Sequence, residues 1–192
     1  TISKAVPIAL AVVFGLCAVA VIGIMVYFSC IDTKTDLGSF ERIIRFNDIW
    51  GTHRGFMWIR SIWIFGDASF IEKLFGVGPD MFYSAFSPYF DDLSKYGDSS
   101  TNAAHNEYLN YLITIGITGL LSYLAIVCGT IKNAVKYAKK NPMLIACVSA
   151  VICYAVQAVV NLYQPITTPL FFIFIALCEA FVRNAKAEKS AV

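Results

Sequence analysis

Hydrophobic positions fall into four long runs, separated by one long mixed segment and two short polar ones. Residues 5–28, "AVPIALAVVFGLCAVAVIGIMVYF", carry no charge. As a helix they extend about 36 Å, more than the roughly 30 Å hydrocarbon core of a bilayer. The second run covers 111–131, the third 143–163 ("MLIACVSAVICYAVQAVVNLY") and the fourth 166–182 ("ITTPLFFIFIALCEAFV"). The fourth is short, yet within the roughly 17–25 residues that a span takes. This pattern predicts an all-α fold, an integral-membrane bundle of four transmembrane helices. A cleaved signal peptide is the other reading of the first run, which is too long for a typical signal core.

Charge around the runs predicts an orientation. Lys4 precedes the first run. Lys132, Lys136, Lys139 and Lys140 lie in the 132–142 connection, and Arg183, Lys186 and Lys189 in the 183–192 tail. Four crossings put all three groups on one side, which the positive-inside rule makes cytoplasmic. Both ends of the chain are then expected to be cytoplasmic, with residues 29–110 forming a large extracytoplasmic loop. That loop holds 11 of the 13 acidic residues and 7 of the 15 basic ones. Its negative balance argues against a nucleic-acid partner. The chain opens on Thr1, not Met, and is expected to be a piece of a longer protein.

Composition supports the lipid reading. The chain is 58% hydrophobic with a mean hydropathy of +0.66, against about 45–50% apolar in soluble domains. Cys17, Cys30, Cys128, Cys147, Cys153 and Cys178 form no C-x-x-C pair, and five lie inside the runs. They are expected to be small apolar fillers rather than disulfides or zinc ligands.

The long loop is rich in aromatic residues. Residues 54–65, "RGFMWIRSIWIF", place Phe56, Ile59 and Trp63 on one helical stripe with Trp58, Ile62 and Phe65 beside it. An amphipathic helix is expected there, suited to a membrane–water interface. "FGVGPDMF" reads as a Gly/Pro turn between Phe75 and Phe82. "SPYFDDLSKYGDSSTN" reads as irregular, polar and exposed. Ser99 or Ser100 is expected to cap a helix that carries His105 into the second run, with His105, Tyr108, Leu109 and Leu112 on one face.

Several side chains are candidates for chemistry. His105 reads either as an interfacial histidine or as a proton acceptor near neutral pH. Arg54 and Arg60 either snorkel toward headgroups or bind phosphate through the guanidinium fork. His53, beside Arg54, reads as a loop histidine or a competitor for a site role. Asp91–Asp92 suits a solvated loop better than a metal site. Gln157 and Asn161, one turn apart in the third run, are expected to bond across helices or to line a polar cavity. No nucleotide, zinc-protease or serine-hydrolase signature occurs.

Three motifs in order are more specific than any one alone: "HRGFMWIRSIW", "EKLFGVGPDMF" and "AHNEYLNYLITIGITGLLSYL". Over residues 50–130 the chain resembles the O-antigen ligase and polymerase family. The matching positions are Arg54 and Trp58, then Gly76, Gly78 and Phe82, then His105, Asn106, Leu109, Gly116 and Gly119. The resemblance implies the C-terminal part of a bacterial plasma-membrane glycosyltransferase of the C-type fold. Such an enzyme passes a glycan from undecaprenyl pyrophosphate to an acceptor hydroxyl, with no cofactor, nucleotide sugar or metal. It implies catalytic roles for His105 and Arg54. Trp58 and Asn106 fall on its motifs as substrate contacts, while Arg60 is a weaker candidate that the motif does not fix. Implied partners are the lipid-linked oligosaccharide, a glycan or glycolipid acceptor, the bilayer, and chain-length regulators or other polysaccharide-assembly proteins.

Two other classes remain at this point. A transporter or flippase domain would bind the lipid-linked glycan without reacting, and would spread polar residues through its spans. A purely structural membrane subunit gives the arginine and histidine motifs no role.

Overall fold

The first apolar run forms one helix, α1 (Ala5–Val26), of 22 residues and about 33 Å. The computed structural model describes residues 5–139 and 141–190. Lys4, Lys140 and residues 191–192, part of the charge pattern and tail, lie outside the described residues. Every regular element among the described residues is helical. The chain divides into two units, residues 1–59 and 60–192.

In the first unit, α1 passes into a π-helical turn at Tyr27–Ile31. Asp32 closes it by accepting hydrogen bonds from the Lys34 and Thr35 amides and the Thr35 hydroxyl at 3.3, 3.1 and 2.6 Å. Those bonds, those from Thr35 first, hold the Asp32 carboxyl below its ordinary range. Leu16 and Val19 of α1 stay 65% and 69% exposed, which suits a helix apolar all round and wetted by lipid. A short helix, α2 (Glu41–Ile44), precedes Arg45. Next comes α3 (Trp50–Asp67), which opens on three left-handed residues, Gly51, Thr52 and His53. The amphipathic stripe expected around Phe56, Ile59 and Trp63 is shifted. Phe56 is fully buried and Met57 nearly so, whereas Trp63 is half exposed.

The second unit begins with short helices. A capping box joins Ser69 and Glu72 at the head of α4 (Phe70–Phe75), and these bonds hold the Glu72 carboxyl low. Then follow α5 (Phe82–Phe86), a 3-10 turn at Ser87–Tyr89 and α6 (Phe90–Ser94). The segment read as irregular and exposed is therefore partly folded. Leu93 is 1% exposed, because Pro88 starts a helical turn and the aromatic run 82–90 needs somewhere to pack. The remaining helices are α7 (Glu107–Thr114), α8 (Gly116–Tyr137), α9 (Met143–Gln157) and α10 (Thr167–Ser190).

Two cores hold α8, α9 and α10 together. One joins Ala134, Leu144, Cys147, Val148, Cys178 and Val182; the other joins Tyr123, Val127, Val151 and Phe171. Cys147 and Cys178 are thus apolar fillers, as expected, while Cys17, Cys30, Cys128 and Cys153 are exposed. The outward faces carry Leu121, Ile126, Val135, Ile145, Val156 and Ile173, each more than half exposed. Exposed apolar residues in such number mark a surface for contact with lipid or with further protein. Among the described residues one helix, α8, is long and apolar enough to cross a membrane by length and composition; the stretch Gly15–Ile31 and α9 are apolar but shorter.

The second run does not continue a helix from residue 101. The chain breaks at Ile115 and resumes at Gly116, where φ is +69°. The break docks two motifs on each other. Val77 and Gly78 amides donate to the Ile113 and Thr114 carbonyls, each at 3.0 Å. The Thr118 hydroxyl donates to the Leu74 carbonyl at 2.7 Å. A Cβ on Gly76 would enter the Thr114 carbonyl, and one on Gly116 the Leu74 carbonyl. Gly116→Ala combines a left-handed penalty of about 1–2 kcal/mol with overpacking of about 1–3 kcal/mol. We expect a loss of about 3 kcal/mol, seen as a lowered melting temperature in detergent and reduced protein in the membrane.

Candidate active site

His105 lies before α7, not on it. Asn106, in extended backbone, is the N-cap, and its Oδ1 accepts the Leu109 amide at 3.0 Å. That local bond replaces the expected Ser99 or Ser100 cap and removes the shared face of His105, Tyr108, Leu109 and Leu112. His105 itself is left-handed, with φ +50°, a region that costs a non-glycine residue about 1–2 kcal/mol. The turn is clamped on both sides. The Ala104 amide reaches Asn110 Oδ1 at 3.4 Å, and the Glu107 amide donates to the Ala158 carbonyl at 2.9 Å. Ala103, Ala104, Asn106 and Glu107 are buried, and only His105 in that run is partly exposed.

Two residues further along the chain, Glu107 carries a buried carboxylate that sequence reasoning missed. Glu107 is 1% exposed. Tyr111 and Tyr154 hydroxyls donate to its two oxygens, each at 2.9 Å. Tyr154 is 2.7 Å from Thr168 Oγ1, which also accepts the Gln164 amide at 3.0 Å. Tyr108 donates to the Ala155 carbonyl at 2.7 Å. Glu107 thus ties α7 to α9 and α10. The i, i+4 spacing to Tyr111 was a usable signal; the contact with Tyr154 was not, being 47 residues away.

Gln157 and Asn161 part company. The helix ends at Gln157, and Asn161 lies in the following turn, where its Oδ1 accepts the Leu162 amide at 2.9 Å. They do not share a helical face, because the Ala158 carbonyl is taken by the Glu107 amide and Pro165 follows. Gln157 lines a groove of about 270 Å³ between α9 and α10, with Cys153, Tyr154, Thr167 and Phe171. Arg60 lies over the Trp63 ring at 4.8 Å, a cation–π contact. Asp92 pairs with Lys95 at 2.5 Å. That hydrogen bond holds the Asp92 carboxyl low and pushes the Lys95 amine up.

The first unit holds Arg54 and Trp58. Arg54 is the first right-handed residue after the left-handed triplet Gly51–His53. It is partly buried, and its guanidinium has no hydrogen-bond or ion-pair partner among the described residues. Arg45 is the opposite case. Its guanidinium donates to the Phe28 and Thr35 carbonyls at 3.0 and 2.8 Å and to Glu41 at 2.6 Å. Trp58 packs with Trp50 and Phe46, ring centroids 5.1 and 6.1 Å away. Its indole N–H is buried without a hydrogen-bond partner. Trp58 is therefore part of an aromatic cluster.

A family model described as O-antigen ligase matches residues 2–124, more than half of the chain. No curated protein and no solved structure matches it.

Proposed function

The chain belongs to the O-antigen ligase family, and from that premise we propose that it transfers a glycan from undecaprenyl pyrophosphate to an acceptor hydroxyl. The family is a membrane-associated one of bacteria with glycosyltransferase-like activity. The acceptor is a second lipid-linked glycan in a polymerase and a glycolipid in a ligase. The reading places the chain in the bacterial plasma membrane, α1, α8, α9 and α10 crossing it, with both ends cytoplasmic and the His105 turn on the outer side. The observation that carries the chemistry is a partly exposed histidine in left-handed backbone on an otherwise buried turn. Strain of this kind persists only where the surroundings fix it, and it clusters at functional sites.

The proposed step is one displacement. The acceptor oxygen forms a bond to the anomeric carbon as the bond from that carbon to the pyrophosphate oxygen breaks. Neutral His105 takes the acceptor proton. Undecaprenyl pyrophosphate departs as the anion, and Arg54, whose guanidinium has no partner among the described residues, stabilises its charge. The configuration at the anomeric carbon inverts. Arg60, Trp58, Asn106, Gln157 and Asn161 are the proposed substrate contacts. For Asn106 only the amide NH₂ is open to that role, its oxygen being committed to the cap.

Glycan analysis in a deletion strain tests this reading. Single repeats on the normal acceptor indicate a lost polymerase, and accumulated lipid-linked polymer indicates a lost ligase. An unchanged surface glycan and no lipid-linked intermediate would count against both.

A further inference from the structure

We propose that Glu107 is a positioning residue for the His105 imidazole, held by a hydrogen-bond chain that runs through Tyr154 to Thr168. The inference rests on the reading of His105 as the proton acceptor and adds to it the group that fixes the histidine turn.

A carboxylate with 1% exposure is costly to bury, and capping α7 does not require one, since Asn106 already does so. Its backbone and side chain both serve as anchors. The Glu107 amide docks on the Ala158 carbonyl at the end of α9. The carboxylate takes the Tyr111 hydroxyl from α7 and the Tyr154 hydroxyl from α9. With the Tyr154 proton committed to Glu107, the Thr168 hydroxyl donates to Tyr154 and accepts the Gln164 amide. Every donor in the chain has an acceptor. The Tyr154 ring is also stacked on Phe171 at 4.2 Å, which fixes where its hydroxyl points.

The strained residue comes two positions before this anchor. Left-handed backbone at a non-glycine residue is kept only if neighbouring contacts over-determine it. Asn106 and Asn110 restrain the turn within its own segment. Glu107 ties it to α9 beside Tyr108, and through Tyr154 and Thr168 to α10. Removing the charge or its donors loosens the turn while leaving the imidazole, and a misplacement of about 1 Å can cost about 10²-fold in rate.

The test uses the intact protein in membrane vesicles from the deletion strain. The probe is the lipid-linked oligosaccharide extracted from that strain. Glu107→Gln is expected to lower kcat about 10–100-fold with the KM for the probe unchanged and the melting temperature near wild type. Tyr154→Phe and Thr168→Val keep the carboxylate and are expected to give smaller losses, of about tenfold or less, also in kcat. They decide the matter alone if Glu107→Gln does not reach the membrane. Wild-type kcat in these variants, a change confined to KM, or a loss that only follows the amount of folded protein overturns the proposal. His105→Ala runs in parallel; turnover near wild type in that variant overturns the reading of His105, whatever the Glu107 variants show.

Discussion

Replacing His105 with alanine is expected to lower glycan transfer by about 10²–10⁴-fold while the protein remains in the membrane. A sugar hydroxyl is a poor nucleophile until its proton has somewhere to go, and a placed imidazole supplies that near neutral pH. The histidine stands on a turn whose neighbours Ala103, Ala104, Asn106 and Glu107 are buried, so the melting temperature of each variant is needed beside its turnover. Backbone strain complicates alanine at φ +50°, so His105→Asn is the better control. Asparagine tolerates the left-handed region and cannot act as a base. Equal loss in both variants, with unchanged melting temperature, assigns the effect to the imidazole. The measurement is transfer per molecule of protein in vesicles.

Arg54→Ala is expected to cost about 10²–10³-fold, the usual loss when one stabilising donor is removed from a developing anion. Arg54→Lys should recover only part of this, since an ammonium lacks the bidentate fork that matches a phosphate. Arg45→Ala provides the contrast. Its guanidinium is used up by the Phe28, Asp32 and Thr35 carbonyls and by Glu41, so its loss should destabilise the protein by about 1.5–3 kcal/mol. Transfer per folded molecule should stay near wild type. Turnover and melting temperature, measured on both variants, separate the two arginines.

Those two arginines show what a sequence can and cannot tell. Both lie in the long loop with similar surroundings, and periodicity says nothing of which carbonyls a guanidinium will find. The motif singled out Arg54; only the folded chain shows that Arg45 is spent. The helices of the apolar runs were legible because a 22-residue charge-free stretch such as α1 has few alternatives. The ends of those helices were not. Asn106 rather than Ser99 caps α7, Gly116 interrupts the second run, and α9 stops at Gln157. The last two turn on contacts distant in sequence, Leu74 on the Gly116 turn and the Glu107 amide on the Ala158 carbonyl, whereas the Asn106 cap is a local choice between competing polar residues. The same holds at the candidate site. His105 could be named from its motif, but its strained turn could not. Nothing in the pattern marked Glu107, whose role depends on Tyr154 and Thr168, far away in sequence.

The central claim is that this chain makes a glycosidic bond at the expense of a lipid pyrophosphate. The most direct measurement incubates the intact protein in vesicles with lipid-linked oligosaccharide and acceptor, and counts both products. The expected result is one undecaprenyl pyrophosphate released for each new glycosidic bond, with inverted anomeric configuration, and both products lowered about 10²–10⁴-fold in His105→Asn. Binding or movement of the lipid-linked glycan across the bilayer, with no pyrophosphate released and no bond formed, would contradict it.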